Sequence, residues 1–134
     1  MIAALIVVIS IAALLQFFVS YCRSVIAAYS KVELSEQVRD VAGIAAQAVD
    51  GDEFRRLVSL VRVCPERGDD GLEIRLVSGY HRMLGATKGM LRSILPAVAV
   101  WAERERAHCA YFAAAALDRR IAFSRDLIAQ QSAE

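Results

Sequence analysis

The sequence predicts an all-α protein: one N-terminal transmembrane helix continuing into a small extramembrane helical bundle. Three observations carry that reading. Residues 2–22 form an uncharged run, IAALIVVISIAALLQFFVSYC, whose only clearly polar interruptions are Ser10, Gln16 and Ser20. The chain has no Asn and a single threonine, Thr87, while alanine is its commonest residue, so it lacks much of the turn and strand vocabulary of β proteins. Beyond the run, apolar positions return at helical spacing. A 57% hydrophobic content over 134 residues and a mean hydropathy of +0.40 exceed what an ordinary soluble domain carries. Sixteen basic and fifteen acidic side chains leave a net charge of +1, which argues against both a nucleic-acid binder and an acidic disordered tail.

The first element is the apolar run. About twenty such residues, at ~1.5 Å each, cross a ~30 Å hydrocarbon core. A cleaved signal peptide would open on a basic region and carry a shorter apolar stretch; here no Lys or Arg precedes the run, so a retained anchor is expected. Arg23, Lys31 and Arg39 lie after it and only the chain amine precedes it, which places the N-terminus outside and the remainder in the cytoplasm. Arginine outnumbers lysine fourteen to two, a composition that suits a GC-rich bacterial genome and hence a bacterial inner membrane. Ala12, Gln16, Ser20, Ser24 and Ala28 recur every four residues and form a row of small or hydrogen-bonding groups. Such a row lets helix backbones approach closely in lipid, so these five are the expected partner-helix interface, docking another transmembrane helix or a second copy.

The later elements rest on periodicity and punctuation. No Gly or Pro occurs between the run and Gly43, and apolar positions from Val25 to Val49 keep a helical spacing. The membrane helix is therefore expected to continue as a rod toward Asp50, with an anchor and juxtamembrane part over 1–31 and an extramembrane domain over 32–134 that opens with a helix over 33–49. Asp50-Gly51-Asp52-Glu53 resets the chain, after which Phe54, Leu57, Val58 and Val61 mark a short amphipathic helix over 52–63. A loop over 64–71 contains Pro65, Gly68 and Gly71. Leu72-Glu73-Ile74-Arg75-Leu76 alternates as a strand would and could pair with residues 58–63. A helix over 72–95 is preferred, because an isolated pair of strands makes a marginal sheet. It places Leu72, Leu76, Tyr80, Met83 and Leu84 on one stripe, and Pro96 should kink or stop it near Leu95. Gly79, Gly85 and Gly89 within it suggest either close helix contact or a break. Residues 97–130 read as a last long helix whose Ala-rich surface packs within the chain's own bundle or forms a groove for a partner.

Chemistry-bearing residues are sparse. His81 and His108 lack a second ligand type at metal spacing; either imidazole could ligate a tetrapyrrole of a partner, but a structural or solvated role is the plainer reading. No nucleophile elbow occurs. Cys64, before Pro65, is the thiol expected to be exposed, and on an oxidising side of the membrane it could pair with Cys109. Asp69 and Asp70 lie in a loop rather than a cleft. Basic residues from Arg55 through Arg92 are interleaved with acidic ones and read as solvated faces, with a weak attraction to anionic headgroups. No catalytic, cofactor or metal residue is implied. The expected function is a non-catalytic accessory subunit or scaffolding factor of a larger membrane complex. Its expected partners are transmembrane helices and the lipid bilayer, without nucleic acid or a small-molecule substrate. The alternative is a membrane-tethered sensory module, which would need a cavity lined by residues such as Tyr80, Trp101 and Tyr111.

Overall fold

The apolar run folds into α1 (Ile2–Tyr29), a helix of 28 residues and therefore about 42 Å long. It is long and apolar enough to cross a membrane. The computed structural model describes residues 1–31, 34–36, 38, 40, 51–66, 68 and 70–133. Among them, α1 is followed by α2 (Gly51–Val63), α3 (Asp70–Leu91) and α4 (Pro96–Ala133), and no strand is present. The all-α class is as the sequence predicts.

The expected rod toward Asp50 is not formed, because α1 ends at Tyr29. The Ser30 hydroxyl donates back to the Ala27 carbonyl at 2.8 Å, a local bond that competes with helix propagation. Tyr29 itself is pinned. Its hydroxyl donates to Glu73 Oε2 at 2.7 Å, its ring meets Phe112 edge-on at 4.7 Å, and the Arg119 guanidinium lies 4.6 Å above its centroid. Leu34 and Ser35 are non-helical, and the Ser35 N–H and hydroxyl both donate to the Asp118 carboxylate, at 3.2 and 2.6 Å. Of the helix expected over 33–49, these two residues are not helical, Glu36, Val38 and Asp40 are, and the others lie outside the described residues.

Among the residues of α2 whose side chains are described, the buried ones are Phe54, Leu57, Val58 and Val61, the i, i+3, i+4, i+7 set expected of an amphipathic helix. Its C-terminal carbonyls receive a cation from another element: Arg120 of α4, 2% exposed, donates from Nη1 to the Val61 oxygen at 2.7 Å.

Residues 72–76 are helical, so the strand alternative is not adopted. The buried stripe of α3 is Ile74, Val77, Tyr80 and Leu84, which differs from the expected one. Leu72 points outward at 65% exposure, while Leu76 and Met83 are only partly buried. α3 also stops at Leu91, four residues before the expected end, and a tight turn carries the chain to Pro96, the first residue of α4. Proline suits that position: it lacks the N–H that a helix start cannot satisfy internally, and the Leu95 carbonyl accepts the first bonds, from Val98 and Ala99.

α4 is the central element, packed on α1, α2 and α3. Ala113, Ala114, Ala115 and Ala116 are all buried, so its alanine surface is used within the bundle rather than left as a partner groove. Small side chains let three neighbours approach one helix, and Phe112 and Leu117 fill the space between them.

Three contacts set the register. Tyr29 meets Glu73, Cys22 meets the Leu76 carbonyl and Phe18 meets Tyr80, so α1 runs antiparallel to α3. The Tyr29–Phe112 and Arg23–Glu105 contacts make it parallel to α4. The α3–α4 connection therefore lies on the side toward which the free N-terminal part of α1 points. Glu105 of α4 joins all three helices, 5% exposed, accepting the Tyr80 hydroxyl at 3.1 Å and pairing with Arg23 at 3.7 Å.

The glycines of α3 neither break the helix nor mark close contact. A Cβ at Gly79 or Gly89 would meet nothing within 4 Å, and at Gly85 it would meet only the Arg106 side chain, at 3.9 Å. Alanine at Gly79 or Gly89 is therefore expected to raise stability by about 0.5–1 kcal/mol each. Alanine at Glu105 should lower it by about 1–3 kcal/mol, since the buried Tyr80 hydroxyl loses its acceptor. Denaturation of each variant in mild detergent checks both, and a neutral Glu105→Ala would refute the joining role.

Candidate functional site

The row expected to bind a partner helix stays uncovered: Ala12, Gln16, Ser20, Ser24 and Ala28 are all exposed. The bundle instead takes the side of α1 that carries Phe18, Cys22, Ile26 and Tyr29. Every residue from 2 to 17 is exposed, and this stretch is apolar except at Ser10 and Gln16.

The reactive side chains are placed structurally. Cys22, Cys64 and Cys109 are free thiols. Cys64 is half-buried rather than exposed, and Cys109 is fully buried. Burial, with the Glu105 carboxylate beside it, pushes the Cys109 thiol up to about 12, which makes it a poor nucleophile. Among the described residues no group of three metal-ligating side chains converges. Asp70 is the first residue of α3 and is buried, with Oδ1 3.5 Å from the Tyr29 hydroxyl.

The cavity that a sensory module would need from Tyr80, Trp101 and Tyr111 is not formed by those three. Tyr80 is fully buried and committed to Glu105, and Trp101 is 37% exposed on the surface. Tyr111 does line a groove of about 610 Å³ between α1 and α4, with Arg23, Ile26, Glu105 and His108.

A second cavity, of about 520 Å³, opens where α2 crosses the α3–α4 pair. α2 contributes Arg55, Ser59 and Arg62, α3 contributes Ser78, His81 and Arg82, and α4 contributes Arg106; Phe54 and Val58 add an apolar wall. Four arginines therefore line one space, three of them exposed, and none of its described lining residues is acidic. His81 stacks on Phe54, with ring centroids 4.0 Å apart and planes 18° from parallel, and its Nε2 accepts from Arg106 Nε at 3.3 Å. Burial, followed by the charges of Arg106 and Arg55, lowers its pKa to about 4. Reading the chain in order hides this convergence. Arg55 and Arg62 are two turns apart on α2, Arg82 lies in a different helix, and Arg106 belongs to the alternating run Glu103-Arg104-Glu105-Arg106. Glu105 turns inward to Tyr80 and Glu103 turns to Lys88 at 2.9 Å, so neither carboxylate lines the cavity.

No family model, curated protein or solved structure matches this chain.

The His81 environment has a pH signature. Its folded pKa of about 4 lies below the ordinary 6.5, so between these values the unfolded chain binds a proton that the folded chain does not. This residue is expected to make stability fall as pH drops from about 6.5 to about 4, and to add no further slope below that. Denaturation midpoints of the wild type and His81→Gln across this window should diverge, with the variant falling less; parallel curves would show that the ring titrates normally.

Proposed function

We propose that the chain is a non-catalytic, single-pass membrane subunit or scaffolding factor that holds partner helices in a larger complex. The observation that carries this reading is the division of α1. Its apolar residues 2–17 are uncovered, while the same unbroken helix is clamped into the bundle from Phe18 to Tyr29. Sixteen residues rise only about 24 Å, short of a ~30 Å hydrocarbon core. A full span therefore takes in residues 18–22, which already touch the bundle; because Phe18 is level with Tyr80, the α3–α4 end beyond Tyr80 lies on the membrane side.

That end is suited to the position. Met90, Ile94, Leu95, Val100 and Trp101 are exposed around the connection, and Arg92 is the only charged residue between Lys88 and Glu103. Trp and Arg are common at the headgroup level. The basic residues Arg23, Lys31 and Arg39 after the span favour a cytoplasmic bundle, and the arginine-rich composition favours a bacterial inner membrane. The exposed row from Ala12 to Ala28 is then the face offered to a transmembrane helix of another subunit or a second copy.

Purification of the tagged chain in mild detergent, with its neighbours read by mass spectrometry, tests the proposal. A defined particle containing other membrane chains is expected, and Gln16→Leu combined with Ser20→Ile should reduce their recovery severalfold. A particle containing only this chain, unchanged in size in the double variant, would overturn the subunit reading and favour a ligand-responsive module built on the Tyr111 groove.

A further inference from the structure

We propose that the arginine-lined cavity between α2, α3 and α4 is a binding site for a phosphate group. Arg55, Arg62, Arg82 and Arg106 bring four permanent positive charges to a space of about 520 Å³ from three separate helices, with no carboxylate among its described lining residues. Such an arrangement is self-repelling when empty, and an anion relieves the repulsion. Guanidinium groups suit phosphate in particular, since their planar N–H pairs match two oxygens of a tetrahedral anion. Ser59 and Ser78 add hydroxyls to the lining that can donate to further oxygens.

The floor of the site is held in place. Arg106 Nε donates to His81, which fixes the plane of the guanidinium and leaves its terminal nitrogens for a ligand. His81 is itself held against Phe54 and acts as the acceptor, as its neutral form requires. Gly85 lies beside the Arg106 head, with space where a side chain would stand. Arg55, Arg62 and Arg82 are exposed at the rim, where they can close on an entering anion.

The phosphate can come from a lipid headgroup or from a soluble phosphate compound, and the position of the cavity favours the lipid. Along the α3–α4 pair the order is an apolar tip around Ile94 and Leu95, then the Lys88–Glu103 pair, then the cavity at His81, Arg82 and Arg106. This sequence of apolar and then cationic groups parallels that of acyl chains and phosphates in a leaflet. The site itself rests on the cavity and not on the scaffold role, so loss of partner proteins would leave it standing.

The full-length chain in neutral detergent, titrated with inorganic phosphate, should show saturable binding that shifts the His81 imidazole resonances. Arg62→Glu combined with Arg82→Glu, both at exposed positions, should weaken binding about tenfold or more. Arg104→Glu, also exposed and outside the lining, should have little effect. Circular dichroism verifies that each variant is folded. Reconstitution into phosphatidylglycerol or phosphatidylcholine nanodiscs then separates the sources. Displacement of phosphate by phosphatidylglycerol alone, lost in the double variant, supports a lipid headgroup; phosphate binding indifferent to lipid charge supports a soluble compound. No saturable binding of phosphate and no dependence on lipid charge would overturn the proposal. So would equal weakening by Arg104→Glu, which would mean a diffuse effect of net charge.

Discussion

The packing of this protein depends on a buried carboxylate. Glu105 lies on the central helix, receives the Tyr80 hydroxyl from α3 and faces Arg23 from α1, so that one side chain ties three helices at one level. A charge taken out of water is unfavourable unless its lone pairs are used, and each use here fixes an element that hydrophobic contact alone would let slide. Arg23 is more than half exposed, so the ion pair is worth little by itself. The Tyr80 bond is fully buried and supplies the larger part, because its absence would leave a hydroxyl with no acceptor. The same logic recurs in part at Arg120, a buried cation whose Nη1 donates to the carbonyls of Val61 and Cys64 at the end of α2, while its Nε has no partner. Along α4, whose buried alanines have little shape to interlock, such polar ties set rotation and register.

This register gives α1 its mechanical character. A helix that merely left a membrane and met a flexible linker would transmit no orientation to the domain beyond it. Here Phe18, Cys22, Ile26 and Tyr29 are gripped over nearly three turns, with the Tyr29 ring held by Phe112, Glu73 and Arg119. The free part of α1 and the bundle are therefore joined through one unbroken, packed helix.

Much of the fold is legible in the sequence, for identifiable reasons. The apolar run, the amphipathic spacing of Phe54 to Val61 and the stop at Pro96 are local signals, each contained within a few turns. The features that escape a sequence reading are non-local. The end of α1 at Tyr29 depends on contacts with Glu73, Phe112 and Asp118, residues more than forty positions away, while the local periodicity runs on through it. The α3 stripe departs from its expected position because two neighbours cover different faces of that helix, which makes Ile74 and Val77 more central than Leu72. The glycines of α3 imitate a packing motif, but the space beside Gly79 and Gly89 is empty.

The arginine cavity illustrates the same limit from the side of function. In sequence, its basic residues are interleaved with carboxylates. In three dimensions Glu105 is drawn inward by Tyr80 and Glu103 is drawn across to Lys88, and the arginines are left facing one another. Like charges that share one space repel, less so where solvent screens them. Packing that gathers four of them offers no gain to the bundle itself, since Phe54 and Val58 already supply the apolar contact of α2 with its neighbours. His81 sharpens the point: a protonated imidazole would add a fifth charge, and burial, followed by the charges of Arg106 and Arg55, holds its pKa down to about 4. A cationic space with no carboxylate among its described lining residues is unfavourable when empty and favourable when it receives an anion.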